Sequence, residues 1–253
     1  MNFQWTLKYI NLLLLLIFSI SSCNKNNNSS NNENKVVYSE NKKVTIETKV
    51  IDGVLTISQN DNRKFYDMLF NFSNFKVKLY LSQEVIDSLE VNSKTGDIKV
   101  DKGFTFNDIT INSSTGDVEF ESNAINNLTI KNSTGDVEVK NSNIGSNLDV
   151  KTSTGDIELY KVRCNKLNIK VGTGEVELED TLVTTDLTLV GSTSDVEFDG
   201  FDASNIYVEV KTGDVKGTLL TSKIFIAKSK TGTITGGVCK ITVSTGNIKI
   251  SYK

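Results

Sequence analysis

The chain has no histidine and no proline among its 253 residues. Without imidazole, Ser-His-Asp and Cys-His catalysis are excluded, and so are histidine metal sites. A tetrahedral zinc site is excluded as well, because the three cysteines do not cluster. The same three cysteines are too few for a disulfide-dense scaffold. Without proline, the 17 glycines must supply most of the sharp turns. Nor is there a basic field to hold nucleic acid: 28 basic side chains face 31 acidic ones, for a formal charge of −3. The length suits one large all-β domain or two small ones.

The first residues read as an address. Lys8 gives a short positive region, and Leu12 to Ile20 is an apolar run of nine residues. A membrane-spanning helix takes about 20 residues, so residues 1–22 read as a signal peptide. The run closes on Ile20-Ser21-Ser22-Cys23. Small residues before a cysteine resemble the lipobox of bacterial lipoproteins, in which the cysteine is acylated and becomes the mature N-terminus. Cys23 is therefore the expected lipidation site. Residues 23–35 contain seven asparagines in 13 positions; such a segment has too little apolar surface to order itself. As a flexible tether it spans roughly 20 Å r.m.s.. Removal of residues 1–22 takes Lys8 and no acid, so the mature charge is 27 − 31 = −4, and Trp5, the single tryptophan, leaves with the leader.

The body repeats. A Ser/Lys-Thr-Gly-Asp-Val/Ile motif recurs with its glycine at Gly96, Gly116, Gly135, Gly155, Gly174, Gly213, Gly232 and Gly246, Ser194 taking the place of glycine in the sixth unit. Successive spacings are 20, 19, 20, 19, 20, 19, 19 and 14. Within a unit, apolar and polar residues alternate on both sides of the turn. Leu128/Ile130 precede Gly135 and Val137/Val139 follow it, a strand–turn–strand pattern. The same inward pairs recur as Ile109/Ile111 with Val118/Phe120, Leu148/Val150 with Ile157/Leu159, Leu167/Ile169 with Val176/Leu178, and Leu187/Leu189 with Val196/Phe198. A weaker third set (Phe104/Phe106, Val162/Cys164, Leu182/Thr184, Phe201/Ala203) makes each unit one triangular coil. A sandwich of hairpins would show more varied spacing. Fixed register favours stacking like on like, since one coil cannot bury its own inner face. The expectation is an all-β parallel solenoid over 91–253, with eight to nine rungs in a rod roughly 40 Å long. The glycine corners require positive φ, and the Ser194 corner should be strained or differently shaped.

Residues 36–90 lack the period. Lys43–Val50, Gly53–Ser58 and Phe75–Ser82 read as strands, and Phe65–Phe75 is rich in aromatics. This segment is expected to cap the first rung, because solenoid ends must be closed. At the other end the spacing of 14 suggests a tightened closing coil.

The N-terminal strands, then Val77–Val100 (VKLYLSQEVIDSLEVNSKTGDIKV), then serial STGDVEV and STGDIEL units, resemble the bacterial adhesin-like domain-of-unknown-function family. Its members carry serial (T/S)-G-D-(I/V) β-repeats, are often exported or membrane-attached, and in some cases sit beside envelope-stress genes. The resemblance covers about residues 36–253. It implies a β-solenoid-like fold at the bacterial cell envelope and no reaction.

Two acidic lines follow from the register. Asp97, Asp117, Asp136, Asp156, Glu175, Asp195 and Asp214 stack at the turns, and Glu119, Glu138, Glu158, Glu177 and Glu197 stack two residues on. Like charges about one rung apart repel. Hydrogen bonding in the turn offsets the Asp line. For the Glu line, lysine neighbours are one solution, with Lys131, Lys151 and Lys170 recurring on a nearby strand. A cation or cationic-polymer surface is the other, with Ca²⁺ the candidate ion. No cofactor is otherwise implied. The pattern does not match the Ca²⁺-binding nonapeptide repeats, which are shorter and richer in glycine. A polysaccharide-active enzyme would need convergent carboxylates or a basic group on long loops. The turns here are short, and the two arginines, Arg63 and Arg163, lie far apart in sequence. Cys164 and Cys239 are expected about four rungs apart, too far for a disulfide. These readings describe a lipid-anchored, non-catalytic envelope protein presenting interaction surfaces to a cell-wall polymer, a surface or another protein. The second reading is a scaffold or sensor of an envelope-stress system, bound to one membrane protein.

Overall fold

The architecture is that of a computed structural model, which describes residues 6–8, 12–17, 35–38, 43–52, 54–61, 76–81, 85–221, 224–229 and 238–252. Among the described residues all regular elements are strands. Two short ones, Thr6–Lys8 (β1) and Leu12–Ile17 (β2), precede a cap of Lys35–Tyr38 (β3), Val44–Ile51 (β4), Val54–Asp61 (β5) and Lys76–Tyr80 (β6). The coil begins with Val85–Ser93 (β7), Ile98–Val100 (β8), Thr105–Thr115 (β9), Val118–Phe120 (β10), Asn123–Thr134 (β11) and Val137–Lys140 (β12). It continues through Asn143–Thr154 (β13), Ile157–Tyr160 (β14), Arg163–Thr173 (β15), Val176–Glu179 (β16), Leu182–Thr193 (β17) and Val196–Thr212 (β18). Val215–Leu219 (β19), Ile224–Ser229 (β20), Val238–Thr245 (β21) and Ile248–Tyr252 (β22) complete it.

Each turn of the coil lays one short strand and one long strand onto those of the turn before. The short strands β8, β10, β12, β14, β16, the start of β18, β19 and β22 pair in parallel as one sheet. The long strands β7, β9, β11, β13, β15, β17, the end of β18 and β21 pair in parallel as a second. A parallel β-solenoid of about seven turns results, one or two fewer than the repeat count suggests. In place of a separate third strand, the long strand bends near its start. Register shifts recur at that bend, between Ala124 and Asn127, Ile144 and Asn147, Cys164 and Lys166, and Val183 and Asp186. A bulge of this kind absorbs one residue, so turns of 19 and 20 residues still align at the glycine corner.

The expected inward pairs are all buried. The third set is corrected in one unit. Thr181 and Val183 face the core, while Leu182 is half-buried and Thr184 exposed. Thr181 is the stacked equivalent of Ser122 and Ser142, and all three hydroxyls donate to main-chain carbonyls: Ser122 to Asp101 at 2.6 Å, Ser142 to Lys140 at 2.7 Å and Thr181 to Glu179 at 3.0 Å. A polar side chain is accepted at this column because it carries its own hydrogen bond.

The closing coil is also corrected. Gly246 stacks directly on Gly213, with the Gly213 N–H donating to the Thr245 carbonyl at 2.9 Å. The chain therefore advances 33 residues in sequence for one rung. The strand β21 pairs on one side with β18 and on the other with β20, so the earlier strand β20 lies outermost. Gly232 lies outside the described residues, as do Cys23 and Phe65–Phe75. Cys164 and Cys239 stand on β15 and β21, three strand spacings apart rather than four. At about 4.8 Å per spacing this still exceeds the reach of a disulfide. Cys164 is buried, and desolvation pushes its thiol up to about 12.

Before the first turn, β2 runs antiparallel between β5 and β7, and β1 antiparallel between β6 and β8. In the full chain these two strands join the cap to the coil.

Two corner columns set the shape. At the glycine corner Gly155 has φ 133°, and an added Cβ would run into the carbonyl of Gly135 in the rung before. The sixth unit solves this differently. Ser194 stays out of the left-handed region and is buried, and its Oγ occupies the space left by Gly191 where the rungs on either side carry Val171 and Val210. The second column, Asn141, Lys161 and Asp180 at φ 47–53° followed by Gly200 at 65°, has no common residue type and is invisible to a motif search.

The two corners predict opposite responses. Gly155→Ala meets backbone as well as unfavourable φ and should cost about 3 kcal/mol or more. Lys161→Gly relieves a left-handed non-glycine residue and should be neutral or stabilising by up to about 1 kcal/mol. Urea unfolding of both variants checks the pair.

Candidate functional site

The turn carboxylates hydrogen-bond from rung to rung. Oδ1 of Asp117 accepts from the Asp136 N–H at 2.9 Å, Asp136 from Asp156 at 2.8 Å, and Asp156 from Glu175 at 2.7 Å. Asp195 accepts from Asp214 at 2.7 Å and Asp214 from Asn247 at 2.5 Å. The longest step, Asp97 from Asp117, is 3.3 Å. The Asp line is thus held by hydrogen bonds as expected, but the bond links neighbouring corners instead of closing its own. Among the described rungs the ladder breaks at Glu175, whose extra methylene carries the carboxylate away from the Asp195 N–H. Inside the same corner, Asn132 Nδ2 donates to the Gly116 and Gly135 carbonyls, both at 2.9 Å.

The Glu line lies on the outward side of the short strands, where Glu119, Glu138, Glu158, Glu177 and Glu197 are in direct register. Its cations are not those expected. Lys99 pairs with Glu119, Lys140 with Glu138 and, at 3.6 Å, with Glu158, and Lys216 with Glu197 at 2.9 Å. The carboxylate partners hold the Lys99 and Lys140 ammonium groups above their ordinary range. Glu177 has no ion pair among the described residues. Its carboxyl is pushed up by burial first, then by Glu158, Glu197, Glu175 and Glu179. Between the Asp and Glu columns runs an open trough of about 320 Å³, four rungs long, lined by eight carboxylates and no cation.

Lys131, Lys151 and Lys170 stand in register on the long-strand sheet, not beside the Glu line. They make no ion pair among the described residues, so their expected role as neutralising neighbours is overturned. The reason is the corner: it turns the chain from one sheet to the other between Lys131 and Glu138. Around them, side-chain amides donate from rung to rung, Asn112 to the Asn92 amide oxygen at 2.9 Å and Asn168 to the Asp149 carboxylate at 2.6 Å.

For chemistry this leaves flat, charged surfaces. Among the described residues no cluster of three or more metal-ligating side chains is arranged to hold an ion. The Glu line spreads its carboxylates one rung apart, and ammonium groups already satisfy most of them, so it does not fit a Ca²⁺ cage, which converges six to eight oxygens on one point. Arg163 opens β15 as an exposed residue, and Arg63 lies outside the described residues. The recurrence of lysine at 131, 151 and 170 was legible in the sequence; what it did not show is that the stripe stands on the other sheet from the Glu line.

The sequence model of the Toastrack DUF4097 family matches residues 25–251. No curated protein matches the chain, and no solved structure matches it.

The ladder geometry makes the turn carboxylates structural acceptors. Asp156→Ala should cost about 1–2 kcal/mol, whereas Asp156→Asn, which keeps an oxygen acceptor, should cost about 0.5 kcal/mol or less. Glu175→Asp should extend the ladder and raise Tm by roughly 2–4 °C. Thermal melts at neutral pH decide these. Glu177 has a folded pKa above its unfolded value, so its contribution to stability is present below about pH 4.3 and is lost as pH rises through the folded value. Glu177→Gln should therefore raise Tm at pH 7, on the order of 1 °C, with the gain vanishing near pH 4. Calorimetry at both pH values tests the sign.

Proposed function

The chain belongs to the Toastrack DUF4097 family, and on that premise we propose that it is a non-catalytic interaction module held at the bacterial cell envelope by a lipid on Cys23. One observation carries the reading: flat outward faces of defined charge repeat rung after rung, joined in the described rungs by corners too short to build a cleft. A face of this kind binds through many weak contacts acting together. The anchoring rests on the lipobox-like segment Ile20–Cys23, which precedes the family match over residues 25–251. Processing before Cys23 removes β1 and β2, the strands that lie between the cap and the first rung in the full chain. The partner is a cell-wall or surface polymer.

Cys23→Ala should shift the protein from the membrane fraction to the soluble fraction and abolish incorporation of labelled fatty acid. Retention of label in that variant sinks the lipoprotein assignment. Crosslinking in intact cells should recover polymer. Recovery of one membrane protein in its place supports the scaffold reading, and turnover in a panel of glycans would overturn both.

A further inference from the structure

Two stripes are left out of charge balance within one molecule: Lys131, Lys151 and Lys170 make no ion pair among the described residues, and the eight trough carboxylates meet only Lys99 and Lys140. Lys131, Lys151 and Lys170 form a comb of three ammonium groups, one per rung, on the long-strand sheet. The trough between the Asp and Glu columns offers four rungs of paired carboxylates on the short-strand sheet. Both pitches are set by the same quantity, the spacing of parallel strands, about 4.8 Å. Lysines of one rod therefore stay in step with carboxylates of another along the whole contact. Within one molecule the corner holds the two stripes on different sheets, so they cannot satisfy each other.

We propose that a second copy of this chain docks its lysine comb, Lys131, Lys151 and Lys170, into the carboxylate trough, so that rods align side by side. Each inserted ammonium group meets a turn carboxylate on one side and a Glu-line carboxylate on the other. In the last rung of the trough lies Glu177, the trough glutamate without an intramolecular cation among the described residues, and a lysine there gives it a counter-charge. The interface is heterologous: each copy offers its trough to one neighbour and its comb to another, which builds open rows instead of closed dimers. A face four rungs long is small beside the roughly 800 Å² per partner of a stable complex. Association is consequently reversible and salt-sensitive in solution, and is strengthened where copies are confined together. The proposal rests on the reading of these faces as contact surfaces. Its test needs neither anchor nor envelope, so its failure leaves the lipidation result untouched.

Sedimentation velocity of the purified full chain is the experiment, over a concentration series at 20 and 200 mM salt. Concentration-dependent association at low salt should weaken on the order of tenfold at high salt. The comb variant K131E/K151E/K170E and the trough variant E138K/E158K/E177K should each sediment as monomers. Their equimolar mixture should associate again, because one now presents carboxylates on both faces and the other lysines on both. The milder K131Q/K151Q/K170Q should also be monomeric, and circular dichroism of every variant separates loss of contact from loss of fold. A wild type that stays monomeric at low salt overturns the proposal, as does association that either reversal leaves unchanged or a mixture that fails to associate. Polyglutamate binding that needs the three lysines, with the wild type monomeric, would reassign the comb to a polyanion.

Discussion

Parallel hydrogen bonding between successive rungs is the constraint from which the rest follows. It fixes the distance from each residue to its counterpart one turn on. Every choice at a position is therefore made opposite the same choice in its neighbours. Apolar residues stacked this way share an interior that no single turn could close. Glycines stacked this way must all be glycine, because each carbonyl fills the space a side chain would need in the next rung. The one exception among the described rungs, Ser194, is accommodated by losing the side chain at Gly191. The solenoid tolerates change at a column when a second position in the same rung gives way.

Stacking also decides which polar groups can face each other. A line of carboxylates one rung apart would be unfavourable if each stood alone. The Asp column escapes because each carboxylate accepts a main-chain N–H from the adjoining corner. The Glu column has no such donor and relies on lysines that interrupt or end it: Lys99 before it, Lys140 beside it and Lys216 after it. Where that supply fails, at Glu177, burial and then the neighbouring glutamates hold the carboxyl above its usual range. The two lines differ in energetic character although both are written as one acidic residue per repeat.

Much of this was legible in the residues. The period gave the parallel coil, the alternation gave the inward pairs, and the Thr-Gly-Asp motif marked one corner. What was not legible depends on position around the coil instead of along it. The second corner is occupied by Asn141, Lys161, Asp180 and Gly200, four residue types that share a conformation and no chemistry a pattern search could detect. Leu182 and Thr184 were assigned to the core by their alternation, but the small hydroxyl Thr181 fills the inward position, since the bend before Leu187 holds one more residue than its neighbour. Lys131, Lys151 and Lys170 lie only seven residues from the Glu line in sequence and on another sheet in space. The order of the last strands was hidden too, because an equal-looking repeat at Gly232 gave no sign that β21 would insert between β18 and β20.

The same constraint narrows what such a fold can do. A cleft that gathers side chains onto one reacting atom requires loops of unequal length, and equal turns suppress them. What equal turns produce instead is periodicity at the surface, with one chemistry per line and one line per face. If the faces act as the contact surfaces proposed above, a single substitution should matter less than a change repeated down a column. Two lines of opposite sign with one pitch arise here without separate selection of their spacing, because both inherit it from the backbone. Recognition by commensurate charge is then available to any partner built on parallel strands, and the partner certain to share that pitch is another copy of the chain.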